Sequence, residues 1–168
     1  MYFSADYNSF PRSIAAGDFN GDNRKDIVVA NYGTDNIGVF LRYGDGTFTN
    51  QTTFTTGANS GPYSIAIFDL NNDTHLDLTV AYADADKIAV FIGYGNGSFA
   101  KSQLYSTGRD SNPIFVVVAD FNNANAADIA VLNNRSNTVM LLIGQGDGTF
   151  DNPVTYSTGP LFGPVETR

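Results

Sequence analysis

Apolar residues in this chain come in short runs that stop at clusters of Gly, Asp, Asn and Ser. Ile27-Val28-Val29-Ala30 is one run, Leu78-Thr79-Val80-Ala81 a second and Ile129-Ala130-Val131-Leu132 a third. Runs of this length bounded by turn residues predict strands, and no stretch of about 10 or more residues carries a helical period. The first part of the chain reads as four strands: Ser13 to Asp18, Asp26 to Tyr32, Ile37 to Tyr43 and Phe48 to Thr55. Gly33-Thr34-Asp35-Asn36 turns the chain between the second and third. Gly44-Asp45-Gly46 makes a tight hairpin before the fourth, where glycine and aspartate meet the need for positive φ. The expected fold is all-β.

The pattern then repeats. Asp18-Phe19-Asn20-Gly21-Asp22-Asn23-Arg24-Lys25-Asp26 is followed by Asp69 to Asp77 and by Asp120 to Asp128, and 69 minus 18 and 120 minus 69 are both 51. Pro11, Pro62, Pro113 and Pro164 keep the same step, as do Phe3, Phe54, Tyr105 and Tyr156, and the hairpin aromatics Phe48, Phe99 and Phe150, which are expected to be packing anchors. Four antiparallel strands recurring at this interval are the mark of β-propeller blades. The expected layout is blades at 11–61, 62–112 and 113–163, with 1–10 ending a preceding repeat and 164–168 starting a further one. Residues 1 to 5 resemble the end of a fourth strand and Gly163-Pro164-Val165 the start of a new repeat. Propellers typically have about 4 to 8 blades, so the ring is expected to be completed by self-association, two chains giving six blades, or by repeats missing from this chain. An open arc would leave unpaired blade faces.

Connectivity sorts the loops. In an up-and-down blade the first-to-second and third-to-fourth connections share one face, which gathers the acidic loops and the glycine-rich hairpins. The opposite face carries Gly33 to Asn36, Asp84 to Lys87, Asn134 to Asn137 and the interblade segments. Those segments differ most between the copies and are expected to be free for recognition.

Oxygen-bearing side chains stand at loop positions 1, 3, 5 and 9 of the first two acidic loops. Calcium takes roughly 6 to 8 oxygen ligands from carboxylates, amides, carbonyls and water. Asp18, Asn20, Asp22, Asp26 and the Arg24 carbonyl form one expected set. Asp69, Asn71, Asp73, Asp77 and the His75 carbonyl form the other. The loop is not an EF-hand, whose glycine at position 6 and glutamate at position 12 are replaced by Asn23 and Val29. The third loop keeps Asp120, Asn122 and Asp128 but has Ala124 at position 5, so weak calcium binding or none is expected there. The plainer alternative is that Asp, Asn and Gly cluster because they suit turns. Turn chemistry alone does not ask for carboxylates at the same alternating positions twice.

Composition narrows the classes. Hydrophobic residues at 42% and aromatics at 13% exclude a disordered chain. The net charge of −8 argues against nucleic acid, and no apolar run approaches the roughly 18 residues of a membrane helix. Eight of the 17 acidic residues lie in the three loops, so two divalent ions would halve the net charge of −8. No cysteine is present, and residues 1 to 20 lack a charged segment followed by an apolar one, so no signal peptide is expected within them.

The segment Ala16-Gly17-Asp18-Phe19-Asn20-Gly21-Asp22 running into Asp26-Ile27-Val28-Val29, with the Gly-Asp/Asn-Gly-Thr/Ser-Phe hairpin, resembles FG-GAP repeats, the blades of integrin α-subunits and of VCBS-type proteins. The resemblance covers nearly the whole chain. It implies a calcium-stabilised propeller used extracellularly for adhesion or recognition, binding a protein or glycan on the face opposite the metal. The expected function is non-enzymatic. The only histidine, His75, sits in a metal loop, and a Ser-His-Asp arrangement would need it. Two alternatives stand beside this reading: a lectin, with Tyr32, Tyr63, Tyr82 and Arg109 as sugar contacts if they do not simply pack between blades, and a purely structural spacer.

Overall fold

The structure is a computed structural model and describes residues 8–159. Its strands form three four-stranded antiparallel sheets, each in chain order across the sheet. The first holds β1 (Pro11–Gly17), β2 (Asp26–Asn31), β3 (Asn36–Phe40) and β4 (Thr52–Thr55). The second holds β5 (Pro62–Phe68), β6 (Asp77–Tyr82), β7 (Lys87–Phe91) and β8 (Gln103–Ser106). The third holds β9 (Pro113–Ala119), β10 (Asp128–Asn133), β11 (Thr138–Leu142) and β12 (Val154–Ser157). Each sheet opens on the repeated proline. The expected fragments at residues 1 to 5 and 163 to 165 lie outside the described residues. No helix of the described residues is long and apolar enough to cross a membrane.

The sheets stack face to face as blades, and the core lies between them. Phe19, Val28, Ile37 and Val39 of the first blade meet Ile65, Leu78, Val80 and Phe91 of the second. Leu70, Ala81, Ile88 and Val90 of the second meet Val116, Ile129, Val131 and Leu142 of the third. A blade covered on both sides needs apolar residues on both faces, which is why all of β6 is buried while β2, in an end blade, alternates. The innermost strands run alongside each other and are pinned by a side chain: the Ser13 hydroxyl accepts from the Ile65 N–H at 3.1 Å, and Ser64 from Val116 at 3.3 Å.

The strand boundaries of the first blade differ from the pattern-based expectation, by one or two residues in β1 and β2 and by more in β3 and β4. The third and fourth strands are shorter than Ile37 to Tyr43 and Phe48 to Thr55, because their ladder breaks. Val39 pairs with Thr52 and Arg42 with Phe48, leaving one extra residue on the fourth-strand side. The bulge seats Gln51 over Gly38, where a Cβ would lie 2.4 Å from its amide nitrogen. Between β2 and β3 the expected turn is a short 3-10 segment, Tyr32–Thr34, closed by Asp35 in the left-handed conformation with φ 49°. The aromatic anchors take the expected role: Phe99 packs edge-on against Phe19 at 6.0 Å and Phe54 at 5.4 Å, and Phe150 against Tyr105 at 5.7 Å.

Candidate functional site: the acidic loops

Each acidic loop is built around its first aspartate. Asp18 Oδ1 accepts the N–H groups of Gly21 at 2.7 Å and Asp22 at 3.2 Å, and Oδ2 accepts Asn23 at 2.8 Å. Asp69 takes the N–H groups of Asp73 and Thr74 at 3.1 and 2.8 Å, and Asp120 those of Ala124 and Asn125 at 3.1 and 2.9 Å. Burial works against the charge of Asp18, but the N–H donors from Asn23, Gly21, Asp22 and Asn20 outweigh it and hold the carboxyl below its usual range. At position 3, Asn20, Asn71 and Asn122 each accept the N–H two residues on, at 3.2, 3.2 and 2.9 Å.

Position 9 has a different task. Asp26, Asp77 and Asp128 are fully buried. Asp26 accepts from Phe19 at 3.0 Å and from Arg42, beyond β3, at 2.8 Å. Asp77 accepts from Leu70 and Gly93, each at 2.7 Å, and Asp128 from Phe121 at 2.9 Å and Gly144 at 2.8 Å. The residue staples the loop to the far end of the third strand, a role that spacing could not reveal. Burial pushes the Asp77 carboxyl up to about 6, against the pull of the Gly93 and Leu70 N–H groups.

Position 5 distinguishes the loops. Asp22 accepts the Arg24 N–H at 2.9 Å and the Asn20 amide at 2.8 Å, and pairs with the Arg24 guanidinium at 2.5 Å. Asp73 accepts from the His75 N–H and the Asn71 amide, each at 2.8 Å, and its carboxyl is held low: burial opposes, and the His75 N–H and Asn71 amide prevail. The third loop has Ala124 here and still keeps the bonds made by positions 1, 3 and 9. The turn therefore does not require a carboxylate at position 5.

By chemical type these oxygens suit a hard divalent ion. A carboxylate offers about four acceptor directions, so the N–H bonds recorded for Asp22 and Asp26 leave capacity on both. Among the described residues no three His, Cys, Asp or Glu side chains converge in the arrangement of a metal cage. Any ion here would depend on Asn20 or Asn71, backbone carbonyls and water for the remainder of its shell.

The loops are roofed by the following blade. The Gly97 N–H donates to the Phe19 carbonyl at 2.7 Å, and Gly148 to Leu70 at 3.1 Å. The Asn72 amide donates to the Gly146 carbonyl at 3.0 Å. His75 lies with its ring against Gly95, where a Cβ would be 2.4 Å from Nδ1.

On the opposite face, some of the segments expected to be free are clamps. Asp35 accepts the N–H groups of Asn59 at 2.7 Å and Gly61 at 2.9 Å and the Ser60 hydroxyl at 3.1 Å. Asp86 repeats this with Asp110, Asn112 and Ser111. Both aspartates tie a blade to the linker that follows it. Of the suggested sugar contacts, Tyr82 is buried at 1% exposure in the first blade junction, so it packs between blades. Tyr32 and Tyr63 meet edge-on at 6.1 Å, with the Arg12 guanidinium 5.2 and 5.4 Å from their ring centres. The Tyr32 hydroxyl bonds to Asp84, which raises its pKa. Arg109 stands almost fully exposed beside Asp110 and Arg135.

Stacked four-stranded antiparallel sheets with this loop placement define a β-propeller repeat module. The chain matches the family described as FG-GAP-like repeat over residues 18–80 and 75–131, and it belongs to that family. A comparison with the curated proteins finds no match. Among solved structures the chain is similar to selenomethionine-substituted virginiamycin B lyase from Staphylococcus aureus, with a TM-score of 0.61 and 15% identity over 90% of this chain and 42% of that one. It is similar to a protein from Lactobacillus plantarum, with a TM-score of 0.69 and 18% identity over 90% and 43%. A streptogramin B lyase structure follows at 0.54 and 21%, over 79% and 37%. At such identities the likeness is one of fold alone, and the chain spans less than half the length of each.

Proposed function

We propose that this chain is a non-enzymatic, calcium-stabilised propeller module that works outside the cell in recognition or adhesion. The observation that supports calcium is the contrast at position 5. Asp22 and Asp73 are carboxylates at a place where the Ala124 loop keeps the same turn without one. A carboxylate the turn does not need is available for an ion. Asp18, Asn20, Asp22, Asp26 and the Arg24 carbonyl would hold the first ion, and Asp69, Asn71, Asp73, Asp77 and the His75 carbonyl the second. The ion would add positive charge among clustered carboxylates and lock the loops that seat the next blade.

Recognition is assigned to the opposite face, at the exposed group Arg109, Asp110 and Arg135, whose counterparts one repeat earlier are Ala58, Asn59 and Asp84. Against an enzyme, the one histidine has its backbone N–H on Asp73 and its ring against the Gly95 hairpin. The sugar-binding alternative keeps Tyr32, Tyr63 and Arg109, and Arg12 already occupies space over both rings.

The test is calorimetric titration with calcium alongside melting in calcium and in EDTA. Two bound ions and a higher melting temperature in calcium are expected. An ion that binds only the folded chain at about a hundredfold excess over Kd adds about 2.7 kcal/mol. Asp22→Ala and Asp73→Ala should each remove one ion. No heat of binding and no calcium-dependent melting shift would overturn the calcium reading.

A further inference from the structure

Each blade has an incoming face, turned to the blade before it, and an outgoing face, turned to the blade after it. The incoming residues Ile65 and Phe91 of the second blade are 8% and 4% exposed, but Ile14, one repeat earlier, is 67% exposed. The outgoing residues Phe19 and Leu70 are each 2% exposed, but Phe121 is 48% exposed. These two open faces differ from the internal ones in opposite directions.

The outgoing face of the third blade is enlarged. Where the first two blades place Ser13 and Ser64, it has Phe115; where they place Ala15 and Ala66, it has Val117; where they place Ala30 and Ala81, it has Leu132. Phe115, Val117 and Leu132 stand 57%, 43% and 39% exposed. The incoming face of the first blade is reduced. It has Ala16 where the others have Ile67 and Val118, and Gly38 where they have Ala89 and Met140. A groove of about 450 Å³ lies on the same face, lined in part by Pro11, Arg12, Ile14, Val29, Phe40 and Gln51, with Gln51 seated over Gly38.

We propose that the outgoing face of the third blade docks onto the incoming face of the first blade of a second copy of this chain, with Phe115 seated in that groove. The repeat fixes the register. In both internal junctions the residue at the Phe115 position touches the counterpart of Ile14, since Ser13 accepts from Ile65 and Ser64 from Val116. The groove lies where that contact falls. The aromatic contact of the first junction, Phe99 against Phe19 and Phe54, has its counterpart in Phe48 against Phe121 and Tyr156, and the last two are 48% and 55% exposed. The enlarged residues of the third blade and the groove of the first thus fall in one register and the aromatic set is complete, which commits the occupant to another copy rather than an unrelated partner. Phe115 brings no acceptor for the Ile14 N–H, so this joint is weaker than the internal ones and depends on concentration. A head-to-tail contact closes into a ring if the rotation permits and otherwise runs on as a filament.

The inference rests on the propeller reading of the repeats and not on calcium, so the experiment is run in calcium throughout. Sedimentation velocity of the full chain over a concentration series should show two chains per particle, or a longer series. Ile14→Glu and Phe115→Lys should each give a monomer with unchanged far-ultraviolet dichroism, and mixing the two should restore assembly. A wild-type chain that stays monomeric at its highest soluble concentration overturns the proposal, as does Phe115→Lys assembling like wild type or a mixture that stays monomeric.

Discussion

The Gly97 N–H reaches the Phe19 carbonyl across the boundary between the first two blades, at 2.7 Å. Gly97 has φ 83°, and a Cβ on it would lie 2.9 Å from the Leu41 side chain of the first blade. Gly46 holds the same hairpin position with φ 89°, but a Cβ there would meet nothing closer than Arg42 at 4.0 Å. Alanine at either site suffers left-handed backbone strain of about 1–2 kcal/mol. Gly97→Ala should lose that plus packing, while Gly46→Ala loses the strain alone. Urea denaturation of the two variants measures the difference, and equal losses would mean the hairpin does not hold the blades together.

The buried staple and the loop carboxylate should separate cleanly. Asp77→Ala leaves the Leu70 and Gly93 N–H groups buried without an acceptor, a loss of about 2–5 kcal/mol already present in EDTA, to which calcium adds the loss of a ligand. Asp73→Ala gives up bonds on an exposed loop and should change stability in EDTA by less than about 1 kcal/mol. Its effect belongs to the calcium-dependent increment. Denaturation curves under both conditions decide, and an Asp73→Ala loss as large in EDTA as in calcium would make position 5 structural.

Restoring the third loop is the reciprocal experiment. Because the backbone around Ala124 is already held by Asp120, Asn122 and Asp128, Ala124→Asp should raise the calcium count by one ion without refolding the loop. Titration calorimetry reads the stoichiometry directly. An unchanged count would show that a position-5 carboxylate is insufficient to make a site.

Asp35 and Asp86 make the linkers sensitive to acid. Burial opposes the charge of Asp35, and the Gly61 and Asn59 N–H groups with the Ser60 hydroxyl more than offset it, so the carboxyl is held low. Asp86 is held low in the same way, against burial, by Asn112, Asp110 and Ser111. A folded pKa below the unfolded value gives stability that is full above about pH 4 and is lost as pH falls through the folded pKa. The double variant Asp35→Asn, Asp86→Asn should be less stable at neutral pH and lose less on acidification. Melting temperature against pH tests this, and a parallel decline in variant and wild type would place the acid sensitivity elsewhere.

Much of this architecture was legible in the order of residues, because the features that carry it are local. A strand such as Ile27-Val28-Val29-Ala30 declares itself by apolar residues between turn formers, and a constant step needs no coordinates to be seen. The oxygen-rich loops were equally plain. What the linear pattern could not assign was the work of each aspartate. Asp18, Asp22 and Asp26 look alike in sequence, yet one organises a turn, one pairs with Arg24 on the loop surface and one is buried on the N–H of Arg42, 16 residues away. The same limit hid the bulge that shortens the fourth strand and the clamps at Asp35 and Asp86. Each depends on a partner brought close only when strands pair or blades stack. Sequence determined the repeat, the strands and the chemistry available on each face. Tertiary structure decided which polar groups are consumed by the fold, because hydrogen bonding and burial are settled between segments distant in the chain.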